Sequence, residues 1–139
     1  MRTINQIIIH CSATAEGRAF TVEDIRRWHL ARGWRDVGYH FVILLDGTVE
    51  AGRPVSEEGA HCAGHNKTSI GICYIGGCAS DGKTAKDTRT PAQKAAMLTL
   101  VRQLMHDYHI SAERVYGHRE FARKACPSFD VREWKGGLL

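Results

Sequence analysis

Nowhere does this chain run to roughly 18 consecutive apolar residues, so no membrane-spanning helix and no membrane partner are expected. Its start, Met-Arg-Thr-Ile-Asn-Gln, leads straight into the short apolar run Ile7-Ile8-Ile9. The h-region and small-residue cleavage site of a secretory signal are missing, which makes the expected location cytoplasmic. Long basic runs and aromatic-basic alternation are absent too, so nucleic acid is not an expected partner. The charge balance is mild, with Lys+Arg of 19 against Asp+Glu of 15, and the surplus of +4 suits an anionic partner without specifying one. There is no C-x-x-C pair among the five cysteines, an odd number, and reduced thiols are the expectation. Repeats and linkers are lacking as well. A chain of 139 residues, 43% hydrophobic and 24% charged, reads as one folded domain spanning 1–139.

What stands out is Gly117-His118-Arg119-Glu120-Phe121-Ala122-Arg123-Lys124-Ala125-Cys126-Pro127. Imidazole and thiolate are the side chains that suit zinc best, and a lysine between them is unusual in a purely structural metal loop. Cys11 and Cys73 sit in apolar runs and read as small buried hydrophobes. Cys126 precedes a proline in a polar, basic loop and does not fit that reading.

The chain reads as β-α-β-β-(loop)-β-α-β-α. Residues 5–11 are a β-branched buried strand with His10 near its end. Thr21 and Asp24 cap a helix through Trp28-His29-Leu30, and Gly33 stops it. Val37 to Leu45 is a second strand, and Asp46-Gly47 turns it into a return strand from Thr48 to Ala51. After an irregular stretch over 52–68, Ser69 to Ile75 is a strand and 76–90 a polar loop. Thr90-Pro91-Ala92-Gln93 starts a helix that runs to about His109. Its buried face is expected to carry Met97, Leu100, Val101, Leu104 and Tyr108. Arg114 to Tyr116 is a strand that delivers His118 to its edge, and Val131 to Trp134 a last short helix. The fold class is α/β, with a single mixed central sheet and helices packed on it.

The third donor of a metal site is expected to be His10, where small polar residues after the strand mark an exit into a cleft. His10 and His118 at two strand ends can face one cleft, and the loop after His118 lets Cys126 fold back on the same ion. Two imidazoles and one thiolate leave a position open, as in catalytic zinc sites. His61 and His65 have helical metal-pair spacing, but Gly59, Gly64 and Asn66 argue against a helix, so His61 is read as lining the cleft. His29 is read as a surface helix residue, Tyr39 as a half-buried strand aromatic, and Lys124 as a loop lysine whose charge can steady an oxyanion beside a metal.

Four motifs in order carry a resemblance over about residues 5 to 130. Ile7-Ile8-Ile9-His10-Cys11-Ser12-Ala13-Thr14 resembles the opening of the type 2 N-acetylmuramoyl-L-alanine amidases, a superfamily that includes the peptidoglycan recognition proteins. Gly38-Tyr39-His40-Phe41-Val42-Ile43 resembles its next motif, as does Gly59-Ala60-His61-Cys62-Ala63-Gly64-His65-Asn66 followed by Ser69-Ile70-Gly71-Ile72. Gly117-His118-Arg119 and Lys124-Ala125-Cys126-Pro127 close the set, and the compact form is most similar to the phage-lysozyme-like amidases. The resemblance implies a fold of the peptidoglycan-recognition/amidase type and a Zn2+ ion on His10, His118 and Cys126. It implies Tyr39 and Lys124 as the catalytic pair, and His61 and Asn66 as substrate-groove residues. The implied reaction is hydrolysis of the amide between N-acetylmuramic acid and L-alanine in peptidoglycan or muropeptides. A monomer is expected, and two routes to substrate stay open: release to the wall by a holin or lysis, and turnover of muropeptides in the cytosol. The alternative is a peptidoglycan-binding module without catalysis. Receptor members of the family often replace the ligand cysteine by serine, and this chain keeps Cys126.

Overall fold

The computed structural model describes residues 2–138. Among these residues seven strands form: β1 (Gln6–Cys11), β2 (Thr14–Ala15), β3 (Phe41–Ile43), β4 (Val49–Ala51), β5 (Ser69–Tyr74), β6 (Gly77–Cys78) and β7 (Val115–Gly117). Three α-helices accompany them: α1 (Val22–Ala31), α2 (Pro91–Tyr108) and α3 (Val131–Trp134). The main sheet has the order β4-β3-β5-β1-β7. Only the β3–β4 hairpin is antiparallel; β3, β5, β1 and β7 run parallel. The sheet is therefore mixed, as the sequence pattern predicts.

The central strands β1 and β5 are buried along their whole length, so both faces must be covered. Alternation sorts their residues. Ile7, Ile9 and Cys11 share one face with Ile70, Ile72 and Tyr74, and there meet Met97, Val101 and Leu104 of α2. The other face of the sheet includes Val42 and Cys73 and packs against Val22 and Ile25 of α1. His10, one residue from Ile9, falls on this second face.

Both long helices start as their sequences dictate. Thr21 accepts the N–H of Asp24, and the Asp24 carboxylate accepts the N–H of Thr21 in return. Thr90 and Gln93 form the same reciprocal cap, with Pro91 in the first turn. The Gln93 side-chain amide also donates to the carbonyls of Ile43 and Ile75, tying α2 to the sheet.

Several expectations change. The strand expected over Val37 to Leu45 shortens to β3, because residues before it spend their backbone bonds elsewhere. Gly38 N–H goes to the His29 ring, the Gly38 carbonyl to Ala60, and the Tyr39 carbonyl to Arg53. Gly77-Cys78, expected in a loop, pairs with Thr14-Ala15 in a small parallel ladder. Tyr108 is 36% exposed and lines a surface pocket with Arg2, Ile4 and Val55 instead of joining the buried face of α2. His29 is buried rather than a surface residue: its Nδ1 accepts the Gly38 N–H at 2.9 Å, turning it inward.

Candidate metal centre

Ile9 of β1 pairs with Gly117 of β7. One step further along both parallel strands come His10 and His118, and neighbouring positions on adjacent strands project to the same side. The register thus delivers the two imidazoles together at the carboxyl ends of the strands, where open α/β sheets place their ligand sites. Their Nδ1 atoms lie 3.1 Å apart.

Cys126 is brought to them by the chain after β7. The Cys11 N–H donates to its Sγ at 3.2 Å, and its carbonyl accepts from Arg119 N–H at 2.8 Å. Next to it, the carbonyl of Pro127 accepts from the buried Tyr74 hydroxyl at 2.6 Å, anchoring the loop in the core. The ligand atoms of His10, His118 and Cys126 all lie within 4.8 Å of one another. Two nitrogens held at about 2.0–2.1 Å by one tetrahedral ion sit about 3.3 Å apart, close to the spacing of the two Nδ1 atoms. The group fits a metal ion.

The electrostatics suit that role. Burial, then the charges of His61, His118 and Lys124, holds the His10 imidazole well below the usual histidine range. Burial and Lys124 lower His118 as well. Both shifts favour the neutral imidazole that metal ligation requires. The hydrogen bond with Cys11 and burial raise the Cys126 thiol, so an arriving metal must displace its proton.

Tyr39 lies beside this group, its ring 5.1 Å from that of His10. Desolvation by the protein around it, then the thiols of Cys73, Cys126 and Cys11, holds its hydroxyl well above the usual phenol range. A cleft of about 490 Å³ opens next to His118 and is lined by His61, Asn66 and Lys124 among others. Lys124 is exposed at this cleft, and among the described residues its side chain forms no ion pair. Asn66 turns its carbonyl oxygen toward the chain and accepts the N–H groups of His61 and Cys62, each at 2.9 Å. His61 lines the cleft but is only 8% exposed, and its Nδ1 lies 2.8 Å from Nε2 of His10. Among the described residues His61 and His65 belong to no cluster of three potential metal ligands; His65 stacks on Phe121 with ring centroids 3.9 Å apart.

Trp34 and Phe121 line the cleft and were not singled out by sequence reasoning. The available signal was an aromatic in an otherwise polar loop: Trp34 just past the stop of α1, and Phe121 just after His118.

Residues 1–129 match the family described as N-acetylmuramoyl-L-alanine amidase. The endolysin of Escherichia phage T7 is 46% identical over 128 residues, covering 92% of this chain and 83% of that protein. Among solved structures, the N-acetylmuramoyl-L-alanine amidase LysC from Clostridium intestinale URNW superposes with a TM-score of 0.84 at 31% identity, over 99% of this chain and 86% of the other. Bumblebee PGRP-SA gives a TM-score of 0.81 at 28% identity, over 100% of this chain and 84% of its own.

Proposed function

The chain belongs to the N-acetylmuramoyl-L-alanine amidase family and is a peptidoglycan amidase, and from that premise we propose that residues 1–139 form one zinc amidase domain with His10, His118 and Cys126 as the zinc ligands. The bond cleaved is the amide between the lactyl group of N-acetylmuramic acid and L-alanine of the stem peptide. The observation that carries the reading is the convergence of two imidazole nitrogens and one sulfur within 4.8 Å beside the cleft lined by His118 and Lys124. Three donors of this kind make up catalytic zinc sites rather than closed structural ones.

When bound, zinc supplies an electrophile for the scissile carbonyl and brings water within reach of ionisation at neutral pH. This chain's own residues supply the rest. The Cys11 N–H supports negative charge on the Cys126 sulfur. Lys124, exposed at the cleft, offers positive charge to the oxyanion that develops on the carbonyl oxygen. The raised pKa of Tyr39 keeps its hydroxyl protonated at neutral pH, so it serves as a hydrogen-bond donor to the reacting groups. Among the described residues lining the cleft there is no Asp or Glu to act as a base, so proton removal falls to solvent while Tyr39 keeps the donor role.

Trp34 and Phe121 give the cleft apolar surface for the faces of a sugar. Arg119, Arg123 and Arg132, with Glu120 as the one carboxylate among the described lining residues, line an adjoining bay of about 420 Å³ that shares Lys124 with the cleft; the cationic surplus suits the carboxylates of a peptide. The substrate is peptidoglycan or muropeptide, and the working form a monomer. Among the described residues no helix is long and apolar enough to cross a membrane. We place the protein in the cytoplasm until a holin or lysis releases it to the wall.

Two measurements on the purified protein test the reading: its zinc content, and release of stem peptides from purified cell wall. Stoichiometric zinc with peptide release supports it. Peptide release that persists after complete zinc removal overturns the metal assignment.

A further inference from the structure

His61 lines the cleft, yet both of its ring nitrogens face into the protein, one of them toward a metal-ligand candidate. Its Nδ1 lies 2.8 Å from Nε2 of His10, and its Nε2 lies 3.2 Å from the hydroxyl of Ser69, which is fully buried. Both ring nitrogens are therefore engaged inside the protein, and neither is left to a substrate. The ring is also held in a slot without side chains on two sides. A Cβ on Gly71 would come within 2.5 Å of the ring, and one on Gly59 within 2.8 Å. Glycine at these positions is what lets the imidazole lie flat over β5 and reach His10.

The protons of this row can be placed. His10 and His118 face each other through Nδ1, so Nδ1 is the His10 atom that would hold a metal. The single ring proton of neutral His10 must then sit on Nε2 and be donated to Nδ1 of His61. The proton of neutral His61 consequently sits on Nε2 and is donated to the Ser69 oxygen. Only this direction leaves the metal-facing nitrogen of His10 bare.

We propose that His61, backed by Ser69, is a positioning residue that fixes the tautomer and ring orientation of His10 and so preforms the metal centre before any ion arrives. The inference rests on the reading of His10 as a metal ligand through Nδ1. It assigns His61 a role in metal affinity instead of substrate contact. Partners of this kind behind ligating histidines are worth about 10–100-fold in metal affinity.

The test compares the full chain with His61→Ala, His61→Asn and Ser69→Ala. Zinc affinity is measured by chelator competition, and the His10 ring nitrogens are followed by 15N NMR with and without zinc. In the unaltered protein His10 should carry its proton on Nε2 in both states. His61→Ala should bind zinc about 10–100-fold more weakly and show a mixed His10 tautomer in the metal-free state. His61→Asn, whose amide oxygen can replace the Nδ1 acceptor, should restore much of the affinity and the single tautomer; Ser69→Ala should lie between. Since Ser69→Ala removes only one hydroxyl, it keeps the test open if His61→Ala does not fold. Unchanged affinity and an unchanged His10 tautomer in the folded variants would overturn the proposal while leaving the metal site intact. Zinc bound without any change at the His10 ring in the unaltered protein would instead overturn the ligand reading beneath it.

Discussion

The backbone N–H of Cys11 points at the sulfur of Cys126, 3.2 Å away. Cys11 follows His10 on β1, so one strand both carries a metal-ligand candidate and orients another that lies far along the chain. The sulfur is the member of the group with the strongest preference for zinc, and a serine hydroxyl is a poor substitute. Cys126→Ser should therefore lose zinc and amidase activity together. The fold should persist, because the Tyr74 hydroxyl still holds the Pro127 carbonyl. Zinc analysis beside circular dichroism checks this; stoichiometric zinc in the variant would contradict it.

Lys124→Ala separates charge from metal binding. The side chain is exposed at the cleft and is not among the clustered donors. Zinc content should stay unchanged while kcat falls by about 100-fold, the scale of losing one oxyanion contact. Steady-state kinetics on a muropeptide with zinc assayed in parallel reads both.

Asn66→Ala should act through the loop that holds His61. Its side-chain oxygen satisfies the N–H groups of both His61 and Cys62, and leaving a buried donor unsatisfied costs about 1–3 kcal/mol. The expected outcome is a loss of stability of that order in urea denaturation, together with weakened zinc binding. A variant as stable as the parent would show that water replaces the amide without penalty.

The legible and illegible parts of this molecule divide along sequence distance. The capping boxes at Thr21 and Thr90, the isoleucine strand and the Asp46-Gly47 turn are local signals, and each gave the expected element. The convergence of His10 and His118 followed from strand ends alone, because β1 and β7 are neighbours whose register sets the two side by side. What could not be read joins distant loops to the sheet. His61 approaches His10 from 51 residues away, and only the fold reveals that glycines at 59 and 71 leave it the space. His29 sits among arginines on a helix and reads as exposed, yet the Gly38 N–H draws it inward.

His29 and His40 should make stability depend on pH. Burial is the main cause that pushes each down to about 4 from the ordinary 6.5. Each accepts a backbone N–H at Nδ1, from Gly38 and Gly71 respectively, and protonation there breaks the bond. Between these two pKa values the unfolded chain binds more protons than the folded one, so stability rises with pH. The contribution is complete above the ordinary value and is lost as pH falls toward 4 and through it. Each histidine adds a slope of up to about 1.4 kcal/mol per pH unit in that window. Denaturation of the metal-free protein across this range should show it, and His40→Gln should flatten the curve by about one proton.

The most direct test is the bond that is cut. Zinc-loaded protein is incubated with defined muropeptides, and the products are identified by mass spectrometry. The expected products are an intact N-acetylmuramic acid and a stem peptide with a free L-alanine amino terminus, formed by the parent and not by Cys126→Ser. Cleavage within the stem peptide or the glycan, or intact muropeptide after prolonged incubation with the zinc-loaded protein, would contradict the assignment.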